Sequence, residues 1–229
     1  NVAVTEFPET TPWGLWFSYY LVMFGCMALS IGLARVLLPR RSGPDCVIIG
    51  FGSSFSNTVM LGIPIILTAF GEAATLPLFL VLAFHGLLIF STGILLMELS
   101  TSSSHSFLGA ISALPLALSN QSVLIALLAG VLWNLSGLNL LDPADRFLDI
   151  LGQAAIPLAL VAIGGTLATV PVRRSVGVAA YISAFKLMVQ PAATYGVANY
   201  VFDLPPLWVA TITLLAAMPT GVLASVLAE

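Results

Sequence analysis

Residues 52–64 read GSSFSNTVMLGIP and lie in the middle of an apolar segment. Glycine, small polar residues and proline at this density interrupt a helix. An interruption inside a membrane leaves backbone N–H and C=O groups without partners, which is tolerated only where the backbone is buried in protein or lines a cavity. This stretch therefore predicts a helix that is broken within its membrane span.

A second stretch of this kind, Ala216-Ala217-Met218-Pro219-Thr220-Gly221, interrupts the last apolar segment. The offset between Asn57 and Thr220, 220 − 57 = 163, also carries Arg40 onto Asp203. A basic linker is thus matched by an acidic one, as an inverted-topology repeat requires. Paired interruptions at matched positions predict a transporter binding site where the two broken helices cross. The alternative is that the prolines only kink helices that pack normally.

The composition requires lipid around most of the chain. Of 229 residues, 59% are hydrophobic and 7% are charged, whereas about a quarter of a soluble domain is charged. A spanning helix needs about 20 apolar residues. Segments of this length lie at residues 13–38, 46–70, 73–97, 121–141, 147–170, 176–202 and 206–228, with a shorter interfacial helix at 106–118. We predict an all-α polytopic membrane protein.

The repeat also predicts how many spans the intact protein has. The repeat pairs each segment with a corresponding segment in the other half. The partner of the third segment would follow residue 229, and the partners of the fourth and fifth would mostly precede residue 1. The expected architecture is an inverted repeat of two five-helix halves (5+5) with two crossing broken helices. We therefore expect this sequence to hold seven of ten spans and to be inactive without the rest.

The cationic residues predict the orientation in the membrane. With strict alternation of the spans, the pairs Arg40/Arg41 and Arg173/Arg174 fall on one side, which is then cytoplasmic. The opposite loops are mainly acidic. The predicted location is the cell (inner) membrane, with multiple passes. Three aromatic residues are predicted to form an interface belt: Trp13, Tyr19 and Trp208.

Several classes of function are excluded. The net charge is −3 and no basic run exceeds two residues, so a nucleic-acid partner is not expected. Cys26 and Cys46 share no metal-ligand spacing, so we expect no metal site and no disulfide framework. Neither a nucleophile–histidine–carboxylate arrangement nor a phosphate-binding loop is present in the sequence. We therefore predict no cofactor and no enzymatic activity.

The candidate substrate-binding residues lie in the two interruptions. They are Asn57 and Thr58 in the first, and Pro219 and Thr220 in the second. The N-terminus of a half-helix carries partial positive charge and suits a carboxylate. Asn57 and Thr58 add side-chain donors. The expected substrate is a small organic anion.

Two further residues are candidates because they are ionisable at mid-span. Lys186 lies ten residues into the sixth segment, about 15 Å along its axis. It is either a counter-charge for an anion, standing where another transporter would bind sodium, or a structural cap on backbone carbonyls of the broken helices. His85, in the third segment, is either a candidate proton relay or a hydrogen-bonded packing residue.

The motifs resemble those of a known family. Asn57-Thr58-Val59-Met60-Leu61-Gly62-Ile63-Pro64 resembles the first crossover of the auxin efflux carrier family, and residues 216–221 resemble the second. Residues 155–168 are similar to its seventh helix and Phe185-Lys186-Leu187 to its eighth. His85-Gly86-Leu87-Leu88 is similar to the bacterial malonate-transporter-like branch. The resemblance covers Trp13 to Glu229, helices three to nine of ten.

The resemblance implies an elevator-type carrier that is a homodimer when full length, with substrate at the crossover. It implies malonate or another carboxylate as substrate, by resemblance only. Ser56 stands where plant relatives often have proline. The implied organisation is an extracytoplasmic loop remnant (1–12), first-repeat transport helices (13–97), a cytoplasmic loop and interfacial helix (98–120), scaffold helices (121–170) and second-repeat transport helices (171–229).

Two alternative functions stay open at the level of sequence. A sodium-coupled bile-acid-type symporter shares the broken-helix architecture. A seven-helix retinal protein would also carry an intramembrane lysine, but there the lysine should lie on the last helix with carboxylates facing it. Lys186 is on the sixth segment, and no acidic residue falls at mid-membrane depth in the predicted spans.

Overall fold

A computed structural model describes residues 12–101, 129, 133, 136–137, 142–169 and 176–221. The predicted fourth segment, the interfacial helix, the end of the seventh segment and the pair Arg173/Arg174 lie outside these residues, apart from four isolated positions. The helices in the described part are α1 (Trp13–Leu37), α2 (Gly43–Ser54), α3 (Thr58–Phe70), α4 (Glu72–Thr101), α5 (Asp142–Thr169), α6 (Val176–Val201) and α7 (Pro206–Ala216). The prediction of an all-α fold is confirmed.

The chain divides into two compact units. One comprises Asn1–Gln121 with Gly177–Glu229, and the other comprises Ser122–Val176. The first unit contains α1 to α4, nearly all of α6, and α7. The second contains α5, a helix with Pro157 in its interior. The predicted substrate-binding residues and His85 all belong to the first unit.

Helices α1, α4 and α6 are long and apolar enough to cross a membrane, with 25, 30 and 26 residues. At 1.5 Å per residue they are about 38–45 Å long, which exceeds a hydrocarbon core of about 30 Å. Helices α3 and α7 are shorter and apolar. Since α2 and α3 follow each other directly, they make up the predicted second span in two pieces.

The first interruption has a local cause. The hydroxyls of Ser53 and Ser54 bond back to carbonyls of their own helix, Ile49 (2.8 Å) and Gly50 (3.0 Å), and such bonds compete with helix continuation. Phe55 then takes an extended conformation (ψ 111°). Helix α3 restarts at Thr58, so the chain is non-helical for three residues.

Helices α1, α2 and α6 pack closely through small residues. A side chain at Gly50 of α2 would lie 2.3 Å from Ile31 of α1, so only glycine permits this approach. The hydroxyl of Ser30 donates to Ser53 (2.9 Å), and Tyr181 of α6 donates to the Ser30 carbonyl (2.8 Å). These contacts fix the span that precedes the first break.

The prediction that Tyr19 belongs to an interface belt is wrong. Trp13 is 59% exposed, but Tyr19 is fully buried. The sequence position at the start of a span suggested the interface. The burial of Tyr19 follows from the face of α1 on which it lies, because that face packs against His85 of α4.

Candidate functional site

The two interruptions cross as extended segments. The backbone N–H of Asn57 donates to the carbonyl of Pro219 (2.9 Å), and that of Gly221 donates to the carbonyl of Phe55 (3.0 Å). Ser56 and Thr220 are thereby paired in antiparallel orientation. In the described residues α2 and α7 both end before the crossing, and the prediction that the two interruptions cross is confirmed. The alternative of two kinked but continuous helices is wrong.

Side chains tighten this crossing. The hydroxyl of Thr220 donates to the carbonyl of Gly52 near the end of α2 (2.7 Å). A side chain at Gly221 would lie 2.4 Å from the Phe55 ring, so the glycine is needed for the two segments to approach. The hydroxyl proton of Thr220 is engaged in this bond, so the main role of Thr220 is to hold the crossing. Towards a ligand its hydroxyl could act only as an acceptor.

The N-terminus of α3 opens at the crossing. Asn57 is its N-cap, with its side-chain carbonyl accepting from the N–H of Met60 (3.3 Å). This leaves the Asn57 amide NH₂ without a hydrogen bond to any described residue. Thr58, the first residue of α3, is buried. Partial positive charge and unused donors therefore meet at this helix end.

Lys186 lies at the other half-helix end. Its ammonium donates to the side-chain carbonyl of Gln190 (2.7 Å) and to the carbonyl of Ala216, the last residue of α7. Lys186 is 1% exposed. Among the described residues no carboxylate pairs with it. An ammonium has three N–H donors, so one remains for a further acceptor.

Both C-terminal half-helix ends are thus closed by a donor from elsewhere. The Thr220 hydroxyl donates to the Gly52 carbonyl of α2, and the Lys186 ammonium donates to the Ala216 carbonyl of α7. In the part of the chain that the structure describes, the positive end of α3 is satisfied only locally, by the Asn57 cap and by the Ser56 carbonyl, which accepts from the N–H of Thr58 (2.9 Å). Lys186 contacts Ala216, and Asn57 contacts Pro219, three residues further along the chain. The Cα atoms of Ala216 and Pro219 are therefore at most about 11 Å apart.

His85 supports the first break from α4. Its Nε2 lies 3.2 Å from the Ser56 carbonyl, and its ring stacks on Phe55 with centroids 5.5 Å apart. His85 is 3% exposed. The hydrogen-bonded packing role proposed from sequence is therefore present.

Three residues of the site do not follow from sequence reasoning. Gln190 is not among the predicted site residues, although its spacing of four from Lys186 places the two on one helix face and could have indicated it. Ser56 stands out in the sequence only as a replacement for proline, and Tyr19 is predicted at the membrane interface. Buried hydroxyl partners of this kind leave no periodic signal in the sequence.

Metal-ligand types do not cluster in the residues that the structure describes, where no group of three or more His, Cys, Asp and Glu side chains could hold an ion. Cys26 and Cys46 are buried free thiols.

The apolar spans and the two crossing interruptions define the class, an all-α membrane protein with the broken-helix architecture found in transporters. The chain belongs to the membrane transport protein family, whose family model matches residues 5–229 and which is the auxin efflux carrier family of the resemblance. The resemblance to that family is confirmed. Family membership also removes the hypothesis of a retinal protein.

Two relatives carry transporter names. A Rhizobium meliloti (strain 1021) protein named "Putative malonate transporter" is 30% identical over 197 residues, which is 85% of this chain and 60% of that protein. An "Uncharacterized transporter" of Methanothermobacter thermautotrophicus is 37% identical over 103 residues, 45% of this chain and 33% of that protein. The chain therefore spans less than two thirds of the length of these relatives.

Proposed function

We propose that the full-length protein is a secondary active transporter of small organic anions, with the substrate carboxylate bound where the two broken helices cross. The observation that carries this proposal is the backbone pairing of Ser56 with Thr220. Broken helices placed face to face are the usual site of substrate in transporters built from inverted repeats. The family and the names of both relatives support transport as the activity.

The donors at the crossing suit a carboxylate. We assign the direct contacts to the free NH₂ of Asn57 and to Thr58 at the N-terminus of α3. Pro219 and Thr220 have the role of holding the second segment against the first, through the Pro219 carbonyl and the Thr220 hydroxyl. A carboxylate would gain both charge-assisted hydrogen bonds and the helix dipole.

Lys186 has the role of counter-charge. A buried ammonium without a carboxylate partner is costly in a membrane, and an anion at the crossing would offset that cost. A cation or a neutral solute would not. The ammonium of Lys186 contacts a backbone oxygen and an amide oxygen, which are the types of ligand that an alkali cation uses. Because the ammonium already supplies a positive charge at this position, transport should not require sodium.

The wider organisation forms part of the proposal. We infer an elevator-type movement of the transport helices against a scaffold, a homodimer of full-length chains, and insertion in the inner membrane with the Arg40/Arg41 and Arg173/Arg174 loops cytoplasmic. The substrate is proposed to be malonate or a similar short dicarboxylate, because the malonate name belongs to a relative that aligns with most of this chain.

The test is a ligand screen on the purified full-length protein by thermal shift, followed by uptake in proteoliposomes. Malonate or a related carboxylate should raise the melting temperature of the wild type, and this rise should be lost in Lys186→Ala and Asn57→Ala. Arg35→Ala is the matched control, since Arg35 is an exposed cation at the end of α1. Uptake should persist when sodium is replaced by choline.

A carboxylate that stabilises the wild type, Lys186→Ala and Asn57→Ala equally would exclude the proposed pocket. Uptake that stops without sodium would favour the bile-acid-type alternative.

A further inference from the structure

Three buried polar atoms lie unsatisfied behind the first break. They are the Tyr19 hydroxyl of α1, the Ser56 hydroxyl of the crossing and Nδ1 of His85 on α4. Their residues are 0%, 1% and 3% exposed. The Tyr19 ring and the Ser56 carbonyl both contact His85, so the three residues form one cluster. Buried polar atoms are rarely left unpaired without a functional reason.

The tautomer of His85 follows from its one hydrogen bond. Nε2 faces the carbonyl of Ser56 at 3.2 Å, and a carbonyl can only accept. Nε2 therefore carries the proton, and in the neutral ring Nδ1 is an acceptor with an open lone pair. His85 can gain a proton at Nδ1 without losing its contact to the break.

The ring is held in place from two sides. Phe55 stacks on it at 5.5 Å with an interplanar angle of 15°, and Tyr19 meets it edge-on at 5.7 Å. The imidazole therefore cannot swing away to exchange its proton with distant groups. Any proton that it takes up is carried at the crossing itself, next to the proposed anion site.

We infer that His85, with the hydroxyls of Tyr19 and Ser56, is a proton-binding site that is loaded together with the substrate anion. The inference rests on the proposed function. On protonation Nδ1 becomes a donor and needs an acceptor. The buried hydroxyls of Tyr19 and Ser56, whose residues both contact His85 and which have no hydrogen bond in the described part of the chain, are the groups that can shift to accept it. The bond from Nε2 to the Ser56 carbonyl becomes charge-assisted and holds the break more firmly.

The charges around His85 supply the coupling. From α1 the titratable groups are Tyr19 and Tyr20, and the Tyr20 hydroxyl is occupied by the Val81 carbonyl. From α6 the charged group is Lys186, whose ammonium contacts the end of α7 next to the crossing. The crossing itself contributes Phe55 and Ser56, which carry no charge.

An imidazolium and the Lys186 ammonium would repel each other in this low-dielectric site. A carboxylate at the crossing attracts both cations and removes that penalty. Anion binding and proton binding must therefore favour each other, and the coupling is reciprocal. The transported species is then an anion accompanied by a proton.

The experiment counts protons taken up per malonate bound by purified full-length protein. Titration calorimetry near neutral pH in buffers of different ionisation enthalpy gives this number. His85→Gln is the main variant, because the glutamine amide can still donate to the Ser56 carbonyl but cannot be protonated. Tyr19→Phe removes one of the two hydroxyl acceptors. Tyr20→Phe is the matched control, since its hydroxyl serves only Val81.

The wild type and Tyr20→Phe should take up more protons per malonate than His85→Gln, with Tyr19→Phe in between. Protonation of malonate itself is common to all four proteins and cancels in the comparison. Equal proton numbers in wild type and His85→Gln, with malonate bound by both, would overturn the inference and leave the proposed function standing. If His85→Gln does not fold, an unchanged number in Tyr19→Phe overturns it equally. Absence of carboxylate binding in the wild type would instead refute the proposed function, and this inference with it.

Discussion

The two breaks share one crossing but are supported by different chemistry. At the first, a histidine from α4 contacts the Ser56 carbonyl, and the chain restarts as a helix capped by Asn57. At the second, the ammonium of Lys186 caps the C-terminal carbonyl of α7. The first break thus presents the positive end of a helix, and the second presents a negative end that a fixed charge neutralises.

This difference shows how a symmetric pair of interruptions can produce an asymmetric site. Two C-terminal helix ends at a crossing would repel an anion. Here both are closed by donors, from Thr220 and Lys186. What remains for a ligand is the N-terminus of α3 and an ammonium that has no carboxylate partner among the described residues, and together they select a negative charge.

The largest effect should come from removing the charge at the second break. In Lys186→Met the side-chain volume is nearly kept, but the ammonium is lost. Malonate binding should weaken by about 10- to 150-fold, since hydrogen bonds to charged groups contribute about 1.5–3 kcal/mol and each 1.4 kcal/mol is tenfold. Equilibrium binding to full-length protein is the measurement. His85→Gln at the first break should lose clearly less affinity. If the two variants lose affinity equally, the breaks do not differ in the way described.

The next effect concerns the packing of the crossing. Gly221→Ala would place a methyl group 2.4 Å from the Phe55 ring. We expect a loss of about 1–3 kcal/mol in the free energy of unfolding, as for other overpacked sites. Thermal unfolding in detergent checks this.

Gly52→Ala is the paired control on the first segment. Its methyl group would meet Ile182 at 3.5 Å, which is an ordinary contact, and alanine favours the helix. Stability should be unchanged or slightly higher. A melting temperature lowered equally by both glycine variants would argue against a specific close approach at Gly221.

A smaller effect is expected from the hydroxyl that ties the segments together. Thr220→Val keeps the shape but removes the donor to Gly52, which should cost about 1 kcal/mol. Thr211→Val is matched to it, because the Thr211 hydroxyl bonds only to Leu207 in its own helix. That variant should change stability less. The reverse order, measured by denaturant or thermal unfolding, would show that Thr220 does not hold the crossing.

The smallest effect lies at the start of the broken span, where α2 begins with a capping box. The Ser42 backbone N–H donates to the Asp45 carboxylate (3.0 Å) and holds the pKa of Asp45 below its usual range. A depressed pKa contributes stability above the unfolded-state pKa of about 3.9, and this is lost as the pH falls through the folded-state value.

Asp45→Asn should therefore be less stable than the wild type at pH 7, by about 0.5 kcal/mol because the site is near solvent. The difference should shrink as the pH falls below about 4. Thermal unfolding across this pH range measures it. A difference that grows on acidification would contradict the assignment. Helix α7, which begins at Pro206, has no side-chain hydrogen bond at its N-cap. The start of that half-helix should therefore contribute no such pH dependence.

Much of the fold could be predicted because lipid imposes strict rules. The predicted bounds of α1 and α6 agree with the structure within a residue or two, since a spanning helix must be apolar over its length. The crossing could be predicted from Asn57 and Thr220 because helices interrupted at matched repeat positions typically meet at a substrate site. Of the two interpretations of Lys186, the cap on a broken helix is the contact present.

The sequence by itself determined that this chain lies in a membrane, that two of its apolar segments are interrupted and that a lysine lies in the middle of a span. Each follows from local composition, because apolar length and helix-breaking residues act where they stand. Only the tertiary structure decided that Tyr19, Ser56 and His85 converge, and that Thr220 and Lys186 close the two negative helix ends. These contacts join residues distant in the chain, and a hydrogen bond between such residues leaves no pattern in either segment alone.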